Sequence, residues 1–327
     1  MIISRTPLRM SFVGGGSDLP AFYRRYGGAV VSTAIDRFVY VTVNKKFDDR
    51  IRVSYSKTEE ARSADRIKHP LVREGLKMLG IAGGVEITSI ADIPSKGSGL
   101  GSSSSFTVGL LHALHAHAGR YASAEQLARE CCQIEIERCG EPIGKQDQYA
   151  AAYGGLNFIQ FNPDESVSVE PIICRRETLE QLQASLLVFY TGITRSASAI
   201  LKTTQRDVGT EKAKQKIMRQ MVKLAVDLKS ELQKNRISSF GAILHENWEL
   251  KRSLSVGIST DRIDAWYQRA RKAGAVGGKL LGAGSGGFMM FCAPPDRHEA
   301  ITRALSDLRR TDFRFEPQGS KIIFVHH

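Results

Sequence analysis

The chain has 327 residues, of which 42% are hydrophobic and 24% are charged, as in an ordinary globular protein of more than one domain. No apolar run approaches the roughly 18–20 residues that a membrane-spanning helix needs, and the first residues lack the pattern of a signal peptide. The five cysteines, an odd number, do not suggest a disulfide framework. We therefore expect a cytoplasmic protein that does not associate with membranes.

The net charge of +12 is distributed along the whole chain. The sequence has no block of lysine and arginine, and it lacks the alternation of basic and aromatic residues that single-strand binders use. A positive field also attracts small anionic ligands. We expect no nucleic-acid partner.

The first half of the chain is predicted to alternate between strands and helices. Residues 2–47 are expected to form strands broken by a turn at Gly14-Gly15-Gly16, because residues 38–44 are β-branched and aromatic. Ser123 is expected to cap a helix, with Gln126 at the capping-box position. The other predicted elements are strands at 50–55, 85–90, 155–161 and 166–173 and helices at 69–79, 106–118 and 123–138.

The second half is predicted to begin with a strand at 186–190, followed by several helices within 195–271. A strand, a glycine-rich turn and a second strand follow at 276–292, then a helix from Asp296 and two final strands. Strands at both ends of a helical middle indicate an α+β layer. We predict two domains, residues 1–175 and residues 176–327.

A stretch of small residues lies between the strand at 85–90 and the helix at 106–118. Glycines allow the backbone to approach a ligand closely, and a helix N-terminus favours phosphate. The stretch is neither a Walker A loop nor a dinucleotide fingerprint. A flexible linker is the alternative, but its junction with an apolar helix disfavours that reading. The predicted phosphate contacts are Gly97, Ser98, Gly99, Leu100, Gly101, Ser102, Ser103 and Ser104, with Lys96 as a candidate anion contact.

Three segments resemble the motifs of the GHMP kinases, in the order that the family has them. Residues 94–104 resemble the phosphate loop, residues 7–18 the N-terminal substrate motif, and residues 279–287 the third motif, in which Ser285 replaces a common glycine. Three motifs spread over nearly the whole chain are more specific than one. Within the family the resemblance is strongest to the kinases of D-glycero-D-manno-heptose 7-phosphate, through segments such as GGGSDLP at 14–20 and GKQDQYA at 144–150.

This resemblance implies an N-terminal domain like ribosomal protein S5 domain 2, a ferredoxin-like C-terminal domain and a site in the cleft between them. It also implies ATP and Mg²⁺ as cofactors. The implied substrate is a sugar phosphate that receives a phosphoryl group on its anomeric hydroxyl, in activated-heptose biosynthesis. The oligomeric state is left open, with a homo-oligomer allowed.

Phosphoryl transfer needs a positioned hydroxyl, a proton acceptor and positive charge on the transferring group. Asp147, in a segment similar to the family's Gly-x-x-Asp-Gln, is the predicted base, although a carboxylate there could also only complement a helix dipole. Arg9 is predicted to steady the base or the reacting hydroxyl. The resemblance to galactokinases, whose acidic metal ligand stands at the position of Glu135, implies that Glu135 and Ser103 hold Mg²⁺, which prefers oxygen ligands. For Glu135 the alternative is a solvated helix carboxylate.

The predicted sugar contacts lie in the first and third motifs. Asp18 would accept hydrogen bonds from ring hydroxyls, and Gly15 and Gly16 stand where galactokinases carry a Glu-His pair, which argues against galactose. Gly284 would approach the sugar from the third motif, and Arg195 is a candidate contact to a phosphate.

Three alternatives stay open from the sequence. The chain could be a hexose or L-fucose 1-kinase of the same superfamily, or an inactive nucleotide or sugar sensor on the same fold. A nucleic-acid-binding module is suggested by the net charge alone.

Overall fold

The structure, a computed structural model, describes residues 1–93, 97–194 and 197–326. Its strands are β1 (Ile2–Val13), β2 (Gly28–Lys45), β3 (Ile51–Ser54), β4 (Thr58–Ala61), β5 (Val85–Ala91), β6 (Leu156–Phe161), β7 (Val167–Pro171), β8 (Leu186–Tyr190), β9 (Gly277–Leu280), β10 (Phe288–Cys292), β11 (Arg309–Arg310) and β12 (Lys321–Val325). Its α-helices are α1 (Pro20–Tyr26), α2 (Pro70–Leu79), α3 (Ser102–His117), α4 (Ala124–Cys132), α5 (Gln146–Tyr153), α6 (Arg176–Ala184), α7 (Ala197–Thr210), α8 (Lys212–Gln233), α9 (Phe240–Arg252), α10 (Asp261–Lys272) and α11 (His298–Ala304). None of the described helices combines the length and apolar character that crossing a bilayer requires.

The larger sheet contains eight of the described strands, in the order β12-β1-β2-β5-β3-β4, with β6 and β7 added beside β2. Only the β3–β5 pair is parallel among them. The 18 residues of β2 allow it to pair with β6 along its first half and with β5 along its second half. β1 pairs with β2 over nearly its whole length, which places Arg9 opposite Ala34 near the middle of the sheet.

Helix α3 packs on β1 and β2 and forms the centre of the first core. Its residues Val108, Leu111 and Leu114 are fully buried, and burial of apolar surface is the main favourable term in folding. The helix approaches β1 closely at Gly109, where a Cβ would lie 2.8 Å from the Thr6 hydroxyl oxygen. This close packing positions the N-terminus of α3 beside the second half of β1.

The smaller sheet has the antiparallel order β11-β8-β10-β9. All five residues of β10 are buried, as expected for a central strand covered on both faces. A second core, built around Trp248, Trp266 and Tyr267, lies between this sheet and its helices. Four antiparallel strands covered by helices give this layer the predicted α+β character.

Two glycines bring the sheets into backbone contact. A Cβ on Gly282 would lie 2.4 Å from the Gly99 Cα atom, and a Cβ on Gly99 would lie 2.4 Å from the Leu281 carbonyl oxygen. The buried ammonium of Lys279 on β9 adds hydrogen bonds to the carbonyl oxygens of Ser11 and Phe12, at 2.6 and 2.8 Å. The third motif is therefore held directly against the phosphate loop and β1.

The α+β fold class is confirmed, and several element predictions need correction. Helix α1 begins with Pro20, a residue suited to the first helical position, inside a segment predicted to be strand. Helix α6 was also missed. The predicted helix at 123–138 divides into α4 and a π-helical turn, Gln133–Arg138. Of the two C-terminal strands, β12 pairs with β1 and therefore belongs to the larger sheet, which the first half of the chain forms. Apart from this strand, the domain limits 1–175 and 176–327 stay a prediction.

Replacing Gly282 by alanine should destabilise the protein more than replacing Gly80. Both glycines have positive φ angles, +78° and +71°, but a Cβ at Gly80 would meet no atom within 4 Å. Gly80→Ala should therefore lower the free energy of unfolding by the backbone term alone, about 1–2 kcal/mol. Gly282→Ala should lose about 1–3 kcal/mol more through the clash with Gly99. Denaturant titration of both variants measures the difference, and equal losses would show that the contact between the sheets is not tight.

Candidate active site

A cleft of about 700 Å³ opens where the two sheets meet. Its wall is formed by the second half of β1, the loop before α3, the start of α5, the end of α9 and the third motif. All three motifs that the sequence singled out therefore line one cavity, although they are separated by up to about 270 residues.

The phosphate loop enters α3 through three glycines with positive φ. These are Gly97, Gly99 and Gly101, at +71°, +75° and +76°. Side chains would also crowd Gly101, since a Cβ there would lie 3.4 Å from an Asp147 carboxylate oxygen. Free N–H groups at the start of a 16-residue helix, in a loop open to the cleft, form a cradle for an anion.

Arg9 and Asp147 form a bidentate ion pair at the end of this loop. The Arg9 Nε and Nη2 atoms donate to the two Asp147 carboxylate oxygens at 2.8 and 2.7 Å, and Nη1 donates to the Gly99 carbonyl oxygen at 2.7 Å. Arg9 is 4% exposed, whereas the Asp147 side chain is 25% exposed and lines the cleft. The carboxylate is thus held in one orientation from behind and stays accessible from the front.

Asp18 is buried beside this pair, and protein donors occupy its carboxylate. It accepts hydrogen bonds from the Gly16 N–H at 2.9 Å, the Gln146 N–H at 3.1 Å and the Gln146 side-chain amide at 3.1 Å. Burial raises the pKa of Asp18, and the charge of Asp147 raises it further. A Cβ on Gly144 would lie 1.9 Å from an Asp18 oxygen, so this packing requires glycine there.

Glu135 is 1% exposed and accepts hydrogen bonds from four O–H and N–H donors and from the Cys131 thiol. Ser103 and Thr107 donate to one carboxylate oxygen at 3.1 and 3.0 Å, and Ser104 and Gln148 donate to the other at 2.7 and 2.8 Å. Burial raises the pKa of Glu135, while these donors act in the opposite direction. The alternative of a solvated helix carboxylate is wrong for this residue.

The Ser103 hydroxyl and the Glu135 carboxylate are oxygen groups of the kind that a hard divalent cation binds. Ser103 is exposed at the mouth of the loop, and both Ser103 and Glu135 line the cleft. Mg²⁺ takes one or two protein oxygens and completes its octahedron with water and substrate phosphates. The described residues contain no group of three or more His, Cys, Asp or Glu side chains that could cage a metal without such help.

The remaining predicted contacts differ in their surroundings. Gly15 and Gly16 line the cleft, and a Cβ on Gly16 would lie 3.2 Å from a Met218 side-chain carbon. The Leu100 side chain is fully buried and Leu100 does not line the cleft; its carbonyl accepts from the Arg9 N–H at 3.0 Å. Gly284 packs against the Ile258 backbone. Lys96 and Arg195 lie outside the described residues.

Several cleft residues were not predicted from the sequence, and four of them carry polar groups that bear on the chemistry of the site. Lys251 and Lys279 are buried lysines of the cleft wall, on α9 and β9. The Ser11 hydroxyl and the Gln146 side-chain oxygen are buried and have no hydrogen-bond partner within the described chain. Ser11 and Gln146 flank Gly15, 3.5 and 3.7 Å from the position that a Cβ on this glycine would take. Ser11, Gln146 and Lys279 lie within the motif segments, but nothing in those segments singles out these side chains, and Lys251 lies outside them.

Comparison with known families supports the motif assignment. Residues 66–155 match the family described as GHMP kinases N terminal domain, and residues 228–310 match the family described as GHMP kinases C terminal. The first match contains the phosphate loop, Glu135 and Asp147. The second contains Lys251, Lys279 and the third motif.

Individual relatives extend over the full chain. The D-glycero-alpha-D-manno-heptose 7-phosphate kinase of Campylobacter jejuni is 30% identical to this chain and is covered over 98% of both sequences. The galactokinase of Pyrococcus furiosus is 26% identical, over 93% of this chain and 92% of its own. The crystal structure of a D-glycero-D-manno-heptose 1-phosphate kinase from Bacteroides thetaiotaomicron superimposes with a TM-score of 0.81 at 26% identity, over the whole of both chains.

Proposed function

The chain belongs to the GHMP kinase family of ATP-dependent kinases, and on that premise we propose that its acceptor is D-glycero-D-manno-heptose 7-phosphate. The anomeric hydroxyl would receive the terminal phosphoryl group of ATP, giving the 1,7-bisphosphate. The phosphoryl transfer is supported by the Arg9–Asp147 pair, which faces both the phosphate loop and the sugar motif inside one cleft. The choice of acceptor is supported by the 30% identity to the heptose 7-phosphate kinase of Campylobacter jejuni.

In the proposed reaction Asp147 accepts the proton of the sugar hydroxyl. The hydroxyl oxygen forms the new bond to the terminal phosphorus, and the bond from that phosphorus to the ADP oxygen breaks. Arg9 orients the Asp147 carboxylate through two hydrogen bonds and joins it to the loop through the Gly99 carbonyl. The positions of base and loop are thereby coupled, as near-attack geometry requires.

The phosphates of ATP would lie on the segment from Gly97 to Ser104. Ser103 and Glu135 would hold Mg²⁺, which neutralises charge on the phosphate oxygens when it is bound. Ser103 donates to Glu135 in the structure, so a rotation of its hydroxyl is enough to turn a lone pair towards a cation. These roles follow from the oxygen-rich donor set and its place at the helix N-terminus.

The sugar would occupy the side of the cleft lined by Asp18 and Gly15. The unpartnered oxygens of Ser11 and Gln146 offer acceptors to hydroxyl groups of a polyol there. A Cβ on Gly15 would lie 3.5 Å from the Ser11 hydroxyl oxygen, so a side chain there would stand between the ligand and these two polar groups. At Gly16 the Met218 side chain would already lie 3.2 Å from a Cβ. A heptose 7-phosphate is the acceptor that we propose for this wall. Its phosphate would need its own cationic contact, for which Lys96 and Arg195 stay the candidates.

Two alternatives predict different substrates or none. A hexose or L-fucose 1-kinase would use the same base and loop with a free sugar. The name of the galactokinase relative indicates a free sugar as its acceptor. An inactive sensor would bind nucleotide or sugar without turnover, but the assembled Arg9–Asp147 pair and the Glu135–Ser103 contact speak against it.

Asp147→Asn should reduce kcat by about 10²–10⁴-fold, because the amide cannot accept the sugar proton. Asparagine keeps an oxygen for Arg9, so the affinity for ATP should change little. Steady-state kinetics and calorimetric ATP titration measure the two quantities. Near-parental turnover in a folded Asp147→Asn protein would remove this residue from the mechanism.

Ser103→Ala and Glu135→Gln should each raise the Mg²⁺ concentration needed for half-maximal activity, because each removes or weakens an oxygen ligand. Thr107→Val is the matched control, since it removes a hydrogen bond to Glu135 from a residue that does not line the cleft. Its Mg²⁺ requirement should stay near that of the parent. Unchanged requirements in both test variants would place the cation elsewhere.

The parent enzyme should prefer heptose 7-phosphate over free heptose, mannose, galactose and L-fucose. A charge-assisted contact to the sugar phosphate contributes about 1.5–3 kcal/mol, or roughly ten- to hundredfold in kcat/KM. A coupled assay across this panel at matched ionic strength measures the ratio. Equal or better use of a free sugar would replace the heptose proposal by the hexose or fucose kinase.

A further inference from the structure

Helix α9 contacts two of the three motifs with neighbouring side chains. The Asn247 side-chain oxygen accepts from the Gly14 N–H of the first motif at 3.1 Å. Lys251, four residues later and therefore on the same face, donates to the Gly282 carbonyl of the third motif. Because Gly282 packs on Gly99, the Lys251 ammonium lies beside the phosphate loop.

Lys251 is a cation of the described cleft wall with two spare N–H donors and no ion pair with a carboxylate. Arg9 is occupied by Asp147 and the Gly99 carbonyl, and Lys279 by two carbonyl oxygens of β1. Within the described chain the Lys251 ammonium has one hydrogen-bond acceptor, although it can donate three bonds. It is 8% exposed and lines the cleft, so its free N–H groups require an acceptor that the cleft supplies.

A buried ammonium of this kind is complementary to the negative charge of the phosphoryl group during its transfer. During transfer the negative charge is spread over three oxygens of that group, and fixed cations aimed at them are the main source of catalysis. The loop N–H groups and the Ser103–Glu135 site lie on the nucleotide side. Lys251 reaches the cleft from α9 beside the third motif, with Asp18 and Asp147 near enough to act on its charge.

We propose that the Lys251 ammonium binds the terminal phosphoryl group of ATP and stabilises it while it moves to the acceptor. This inference rests on the proposed function. Lys251 keeps its protons throughout, since the proton of the sugar hydroxyl passes to Asp147. The competing explanation is a purely structural lysine that ties the end of α9 to the third motif.

Two substitutions separate these roles. Lys251→Met removes both the charge and the bond to Gly282, whereas Lys251→Gln removes the charge and keeps an N–H donor for that carbonyl. The matched control is Lys214→Met, because the exposed Lys214 ammonium donates to the Ser253 carbonyl at the same end of α9 but does not line the cleft. Thermal unfolding of each variant reports any structural damage.

Calorimetric binding of Mg·ATP and Mg·ADP, without sugar, is the acceptor-independent measurement. Both Lys251 variants should bind ATP about ten- to hundredfold more weakly than the parent and ADP within about twofold, since only ATP carries the contacted group. With whichever sugar the parent uses best, kcat should fall about 10²–10³-fold. Lys214→Met should match the parent in all three quantities.

The same contact predicts a pH dependence. Burial and the charge of Arg9 lower the pKa of Lys251 to about 8. The carboxylates of Asp18 and Asp147 act in the opposite direction and raise it. Lys279 is the other ionisable neighbour. The ammonium is charged below this pKa and neutral above it. The parent's preference for ATP over ADP should therefore fall as the pH rises through about 8, and that of Lys251→Gln should be flat.

The proposal would be overturned in favour of the structural role if Lys251→Gln kept the kcat of the parent and the parent's ratio of ATP affinity to ADP affinity. Equal weakening of ATP and ADP would overturn it as well, because that pattern indicates damage to the loop. If no sugar is phosphorylated by the parent, the heptose kinase proposal fails on its own. The nucleotide titrations still decide the role of Lys251 in that case.

Discussion

The ion pair between Arg9 and Asp147 is the interaction on which the rest of the site depends. Arg9 is almost completely buried, and a buried guanidinium without a partner would cost several kcal/mol. Its two bonds to Asp147 therefore hold the start of α5 against β1, and its third bond holds Gly99 of the phosphate loop at the same point. One side chain thus sets the distance between Asp147, the proposed base, and the loop proposed to bind the phosphates.

Glycine contacts impose the second constraint, because they allow backbones to meet where side chains would separate them. Gly99 and Gly282 join the two sheets, and Gly144 makes room for the Asp18 carboxylate. Lys279 adds hydrogen bonds from β9 to β1 under the same junction. The cleft is therefore built on rigid elements from both halves of the chain, which suits a reaction that depends on positioning and electrostatics more than on covalent chemistry.

The sequence allowed the prediction of those parts of the site that lie in contiguous motifs. The phosphate loop could be predicted because its glycines and hydroxyls are contiguous, and Arg9 and Asp147 because their segments resemble motifs of the family. Glu135 lies in the π-helical turn at Gln133–Arg138, where side chains point in other directions than they would in a continued α-helix. No simple sequence pattern predicts such a turn. The pairing of β12 with β1 joins residues more than 300 positions apart, and Lys251 resembles any basic residue at a helix end. The strand pairing and the position of Lys251 in the cleft are visible only in the three-dimensional structure.

The most direct test of the account is the identity of the product, read by ³¹P NMR after incubation with ATP, Mg²⁺ and heptose 7-phosphate. The account predicts one new phosphate per ADP formed, coupled to the anomeric proton of a sugar that keeps its first phosphate. The Asp147→Asn protein should form this product only at a greatly reduced rate. ADP accompanied by inorganic phosphate alone, or a phosphate coupled to another sugar proton, would contradict the proposed reaction.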